Sequence, residues 1–61
     1  MIRDPVASSN IASIGYDPDS ETLEIEFTNG SIYQYFNLPS GLYEQLMAAP
    51  SKGQFLNVYI R

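Results

Sequence analysis

Residues 22–36, TLEIEFTNGSIYQYF, constrain the fold more than any other stretch of this chain. TLEIEF alternates strictly, with Leu23, Ile25 and Phe27 on one face and Glu24 and Glu26 on the other, the pattern of a strand with one side buried. Asn29-Gly30 then marks a hairpin turn, and SIYQYF returns as the partner strand. The register is open between two turns, and a slip of one residue exchanges the faces. A two-residue Asn29-Gly30 loop pairs Phe27 with Ile32 and turns Tyr33 and Tyr35 outward beside the glutamates. A three-residue loop, Thr28-Asn29-Gly30, with Gly30 in a bulge pairs Ile25 with Tyr33 and Leu23 with Tyr35, all on the core face. The second register is favoured because it spares Gln34 from burial. It makes both tyrosines core residues first, with hydroxyls that reach water or a backbone partner at a thin core edge.

Around this hairpin the rest of a small α+β fold can be read. Residues 10–16, NIASIGY, form a first strand with Ala12, Ile14 and Tyr16 on one face, and Asp17-Pro18-Asp19-Ser20 makes the turn. Residues 1–9 have no periodicity and form an extended lead-in containing Pro5. After Pro39 the period changes: Leu42, Tyr43, Leu46 and Met47 share one face of a helix that Pro50 stops. Ser51 and Gln54 have the spacing of a capping box, and Phe55, Leu56, Tyr59 and Ile60 repeat the helical face in a second short helix weakened by Gly53. The expectation is a single domain over residues 1–61: a three-stranded antiparallel meander followed by one or two short helices packed on one face.

Composition limits what such a domain can do. With 61 residues and no cysteine, no disulfide framework supports it and no thiolate chemistry is available. A chain this short buries only about 60% of its unfolded surface, so its stability amounts to a few kcal/mol. It also lacks histidine, so Ser8, Ser9 and Ser51 have no imidazole to activate them. Glu24 and Glu26 lie about 7 Å apart on one strand face, but nothing nearby raises one pKa above the other for acid–base work. The Asp17–Asp19 alternation is not a calcium loop, because Thr22 and Thr28 stand where the glycine and the bidentate glutamate belong. Ser51-Lys52-Gly53 lacks the upstream glycine and strand of a phosphate loop. No enzyme activity, metal or cofactor is expected. The net charge is −4, and the basic residues Arg3, Lys52 and Arg61 are scattered, which argues against bulk DNA or RNA binding through phosphates. No signal-peptide or membrane-length apolar run is present, so a cytoplasmic protein is expected, in which the Asn29-Gly30-Ser31 sequon goes unused.

SSNIASIGYD, LEIEF, the Tyr-x-Tyr of YQYF, the proline that follows with Tyr43, and APSKGQFLNVYIR together resemble the KTSC domain over residues 8–61. That family occurs at the C-terminus of some lysyl-tRNA synthetases and as free-standing bacterial and phage proteins, and it has no established activity. The resemblance implies an interaction surface at Tyr33 and Tyr35, the central Tyr-x-Tyr, and at Lys52 and Gly53 of the Ser-Lys-Gly segment. It implies an RNA-contacting accessory domain by association with a synthetase. The alternative partner is a protein, docked on a sheet edge or on the aromatic helix face.

Overall fold

The computed structural model describes residues 1–60. Four antiparallel strands follow one another across the sheet in chain order: β1 (Asp4–Pro5), β2 (Ile11–Asp17), β3 (Thr22–Phe27) and β4 (Ile32–Tyr35). Helix α1 (Ser40–Ala48), the short α2 (Lys52–Phe55) and a π-helical turn (Leu56–Ile60) complete the chain. The α+β architecture is the expected one, with one strand more than the sequence suggests. Residues 4 and 5 pair with Ile14 and Ser13, so the lead-in is extended but also belongs to the sheet.

The hairpin takes the bulged register. Leu23 faces Tyr35, Ile25 faces Tyr33 and Glu26 faces Ile32. Gly30 N–H donates to Phe27 O (2.9 Å), closing a type I turn, and Phe27 N–H donates to Ser31 O (2.8 Å). Gly30 has φ of 91°, in a region that a Cβ would strain, which is why glycine ends this loop. Two further corners turn through left-handed residues, Glu21 (φ 54°) and Asn37 (φ 59°). Asp17 Oδ1 accepts from Asp19 N–H (3.0 Å) and shapes the β2–β3 turn as the sequence suggests.

Among the described residues, seven form the buried core: Ile11, Ile14, Leu23, Ile25, Leu38, Leu46 and Leu56. The helical face read from the sequence packs here, with Leu46 fully buried and Leu42, Tyr43 and Met47 against the cluster. Ile11 corrects the expected face of β2. A bulge between Ile11 and Ser13 sets Ile11 opposite Phe27 and Ser13 opposite Glu26. Ile11 and Ile14 therefore both reach the core, where strict alternation would have sent Ala12 inward with Ile14. Tyr16 packs against Tyr43 in a parallel stack (centroids 4.6 Å, planes 8° apart), and its hydroxyl donates to Leu38 O. Desolvation, followed by the nearby charges of Glu21 and Asp17, raises the Tyr16 pKa, so this phenol stays a donor. Ser51 Oγ accepts from Gln54 N–H and caps α2 as its spacing suggests. Tyr59 does not join the core face of the last turn and is largely exposed.

The other side of the sheet is covered from the N-terminus. Arg3 Nη1 meets Glu24 Oε2 at 2.6 Å, and Arg3 Nε donates to Ser13 Oγ. Ser13 Oγ donates to Glu26 Oε1, and Gln34 Nε2 donates to Glu24 Oε1. The glutamate face, a solvated strand face on sequence grounds, is therefore a polar network under a strap of residues 1–3. The Arg3 hydrogen bond, followed by that of Gln34, holds the Glu24 carboxyl below its ordinary range. A depressed folded-state pKa contributes stability above the unfolded pKa and loses it as pH falls through the folded value. Thermal melts taken from neutral pH into the carboxylate range should show this acid-side decline in the wild type and a shallower one in Arg3→Gln. Equal slopes in the two proteins would exclude the strap as its source.

Candidate functional site

The bulged register gives the two tyrosines of β4 different fates. Both side chains project toward the helical side of the sheet, but the helices cover only part of it. Tyr35 lies against the core cluster, and its hydroxyl is buried without a hydrogen-bond partner among the described residues. Tyr33, nearer the hairpin turn, is 50% exposed. Its ring meets Phe27 edge to face, with centroids 5.5 Å apart. The expectation that both rings are core therefore fails for Tyr33, because the cover ends before the hairpin does.

This difference yields opposite mutational outcomes. Burying a phenol with an unpartnered hydroxyl costs about 1–3 kcal/mol of desolvation, so Tyr35→Phe should melt at or above the wild-type temperature. Tyr33→Ala removes a half-exposed ring and should leave a folded protein. A cooperative unfolding of Tyr33→Ala at room temperature in circular dichroism would contradict this placement.

Tyr33 forms the lip of an open groove of about 330 Å³ between the hairpin end of the sheet and the last helical turn. Phe27 and Leu56 supply apolar wall, Asn10, Asn29 and Asn57 supply amides, and Gly53 closes the helical side. A Cβ on Gly53 would reach Asn10 Nδ2 at 3.7 Å, an ordinary contact, so glycine here keeps the wall low rather than relieving a clash. Among the described residues none that lines the groove is charged. Asn29 Oδ1 also accepts from Ser31 N–H (3.0 Å), which fixes that amide's orientation at the turn.

Of the four residues expected to form an interaction surface, the groove brings together Tyr33 and Gly53. Tyr35 turns into the core. Lys52 is half-buried, and its Nζ donates to Ala49 O at the end of α1 (3.2 Å), so its ammonium serves a helix end rather than the groove. The asparagines were missed on sequence grounds because Asn10 and Asn29 read as turn residues and Asn57 as a helix surface. Their convergence appears only once β2, the hairpin and the last turn are placed together. Among the described residues no cluster of three or more His, Asp or Glu could hold a metal. No helix among them is long and apolar enough to cross a membrane.

These features define a small α+β domain: a four-stranded meander with helices on one side and an uncharged, amide-lined groove at the hairpin end. The chain belongs to the KTSC domain family, whose model matches residues 7–61. A KTSC domain protein from Yersinia pestis has nearly the same fold, with a TM-score of 0.95 at 47% identity over 98% of this chain and 84% of that one. A lysine–tRNA ligase from Nostoc sp. is 42% identical over 67 residues, 98% of this chain but 12% of the ligase. A protein from Tsukamurella paurometabola is 40% identical over 57 residues, 93% of this chain and 85% of that protein. The domain thus occurs both within a synthetase and in a protein little longer than itself.

Proposed function

We propose that this is a non-enzymatic, cytoplasmic binding module that holds unpaired RNA bases in the groove beside Tyr33. The observation that carries the reading is a half-exposed aromatic ring at the lip of an uncharged groove lined with side-chain amides. A base can stack on such a ring, and amides offer both donors and acceptors to its polar edge. The similarity to lysine–tRNA ligases supports an RNA context by association. Arg3 is tied to Glu24 and Lys52 to Ala49 O, so neither is available to grip phosphate at the groove. As far as the described residues go, contact is therefore led by bases, is weak for random strands, and changes little with salt.

Titrating short unpaired oligoribonucleotides into isotope-labelled protein tests this. Amide shifts should concentrate at Tyr33, Gly53 and Asn10 and persist at physiological salt. Stacking on one ring is worth about 1–3 kcal/mol per base, so Tyr33→Ala should weaken binding by roughly 5- to 150-fold while Tyr35→Phe retains it. Shifts located elsewhere, or a steep salt dependence, would refute the groove. The protein-docking alternative has its own support in the exposed Ile32 and Phe36 beside the open edge of β4.

A further inference from the structure

The two edges of this sheet are unequally protected. An exposed strand edge invites pairing, and proteins usually blunt it with charge, proline or brevity. The β1 edge has all three, being two residues long and consisting of Asp4 and Pro5. The β4 edge, four residues long, has neither charge nor proline. Residues 27–43 carry no charged side chain, and Ile32, Tyr33 and Phe36 are 49%, 50% and 66% exposed. Since Phe27 N–H donates to Ser31 O, alternation turns the backbone groups of Tyr33 and Tyr35 toward β3 and those of Ile32 and Gln34 outward.

We propose that this edge pairs antiparallel with β4 of a second copy of the chain, centred on Gln34, to make one continuous eight-stranded sheet. The pairing rests on the edge rather than on RNA contact, so either idea can fail without the other. The pattern is self-complementary about that centre. Ile32 comes opposite Phe36 of the second copy, twice, forming an apolar cluster on the side away from the helices. Tyr33 comes opposite Tyr35 of the second copy on the helical side, and Gln34 faces its own counterpart. Strand addition of this kind draws its affinity from main-chain hydrogen bonds and its selectivity from alternate side chains.

Charge selects the occupant. A neutral edge offers nothing to an acidic or basic strand, whereas a second copy brings an equally neutral one. The acidic residues do not oppose the pairing. Glu24 lies opposite Gln34, so the two Glu24 carboxylates of the pair would sit about 14 Å apart, three strand spacings. That separation exceeds the Debye length of about 8 Å at physiological salt, and each Glu24 already has Arg3 as its counter-ion.

About five paired residues per copy make a small interface, of the kind found in weak, transient pairs, so a dissociation constant on the order of 0.1 mM is expected. Sedimentation equilibrium and amide spectra of the wild type, from about 20 µM to about 2 mM around that value, should show mass rising toward the dimer. Concentration-dependent shifts should be confined to residues 31–36. Ile32→Lys sets a charge against Phe36 of the second copy, yet lies opposite Glu26 within its own sheet. It should keep the monomer's melting temperature and abolish the concentration dependence. A wild type that stays monomeric at the highest concentration overturns the proposal, even if its β4 amides respond to an added uncharged foreign strand. Shifts on the helices, or a dimer that survives Ile32→Lys, overturn it equally. Should Ile32→Lys fail to fold, the wild-type series alone decides.

Discussion

Leu46→Ala is expected to leave much of the chain unfolded at room temperature. Leu46 is the only fully buried residue of α1, and its side chain joins the helix to Ile11, Ile14, Leu23 and Ile25 from the sheet. Truncating a buried leucine costs about 2–5 kcal/mol, because the transfer free energy is lost and a cavity remains. A domain of this length has roughly 3–9 kcal/mol in total at typical per-residue stability. A single core in a chain this short rarely supplies more than about 3–5 kcal/mol, so the loss is comparable to what holds the fold. For so small a domain each kcal/mol shifts the melting temperature by about 4–8 °C, so a fall of more than about 10 °C is expected. Leu46→Met keeps the volume and should cost less than about 1.5 kcal/mol. A Leu46→Ala protein that melts within a few degrees of wild type would mean that α1 does not close this core.

Gly15→Val should destabilise the protein although valine is the better strand former. Gly15 sits in β2 opposite Glu24, on the side covered by the N-terminal strap. A Cβ there would lie 2.8 Å from the backbone oxygen of Ile2 and 2.9 Å from Arg3 Cγ. Backbone cannot withdraw as a flexible side-chain tip can, so residues 1–3 must lift or the sheet must distort. Overpacking of this kind typically costs about 1–3 kcal/mol. If the strap lifts, Arg3 leaves Glu24, whose carboxyl then returns toward its ordinary range, and the Val6 N–H to Ala12 O bond beside β1 loses exchange protection. The measurements are a thermal melt and the Arg3 Nε–H and Val6 amide signals. An unchanged or higher melting temperature with both signals intact would show that the strap does not lie over Gly15.

How far the sequence could be read follows from the range of each signal. The hairpin register was legible because it is decided locally: Gly30 alone can close the three-residue loop cheaply, and Gln34 shows which face must stay wet. The α1 face was legible because one long-range requirement, a buried stripe, repeats at helical spacing. The bulge that turns Ile11 inward left no such trace, since one extra residue opposite Phe27 breaks the alternation from which faces are read. β1 was invisible because two residues, one of them proline, carry no period. Its existence depends on Arg3 finding Ser13 and Glu24 far along the chain. Of the candidate surface residues, Tyr33 and Gly53 meet at the groove, whereas Tyr35 packs against the core and Lys52 bonds the end of α1. Register assigns a side chain to a face but does not say where the helical cover on that face ends.

The sheet's strand order has a kinetic consequence. Because β1, β2, β3 and β4 are neighbours in space in the order they occur in the chain, every ladder is closed by a short loop. The entropy of loop closure rises only with the logarithm of loop length and is smallest here. The hairpin around Asn29-Gly30 can form first, on the microsecond scale of isolated hairpins. β2 then adds across the Asp17–Ser20 turn, and α1 needs only to swing back over a surface already assembled. Such a topology favours local pairing, and refolding from denaturant is expected to have its main phase within milliseconds, followed by a slow phase from molecules with a cis bond at one of the four prolines. A nascent chain would then pair its strands in the order they emerge, and become stable once α1 follows to close the core.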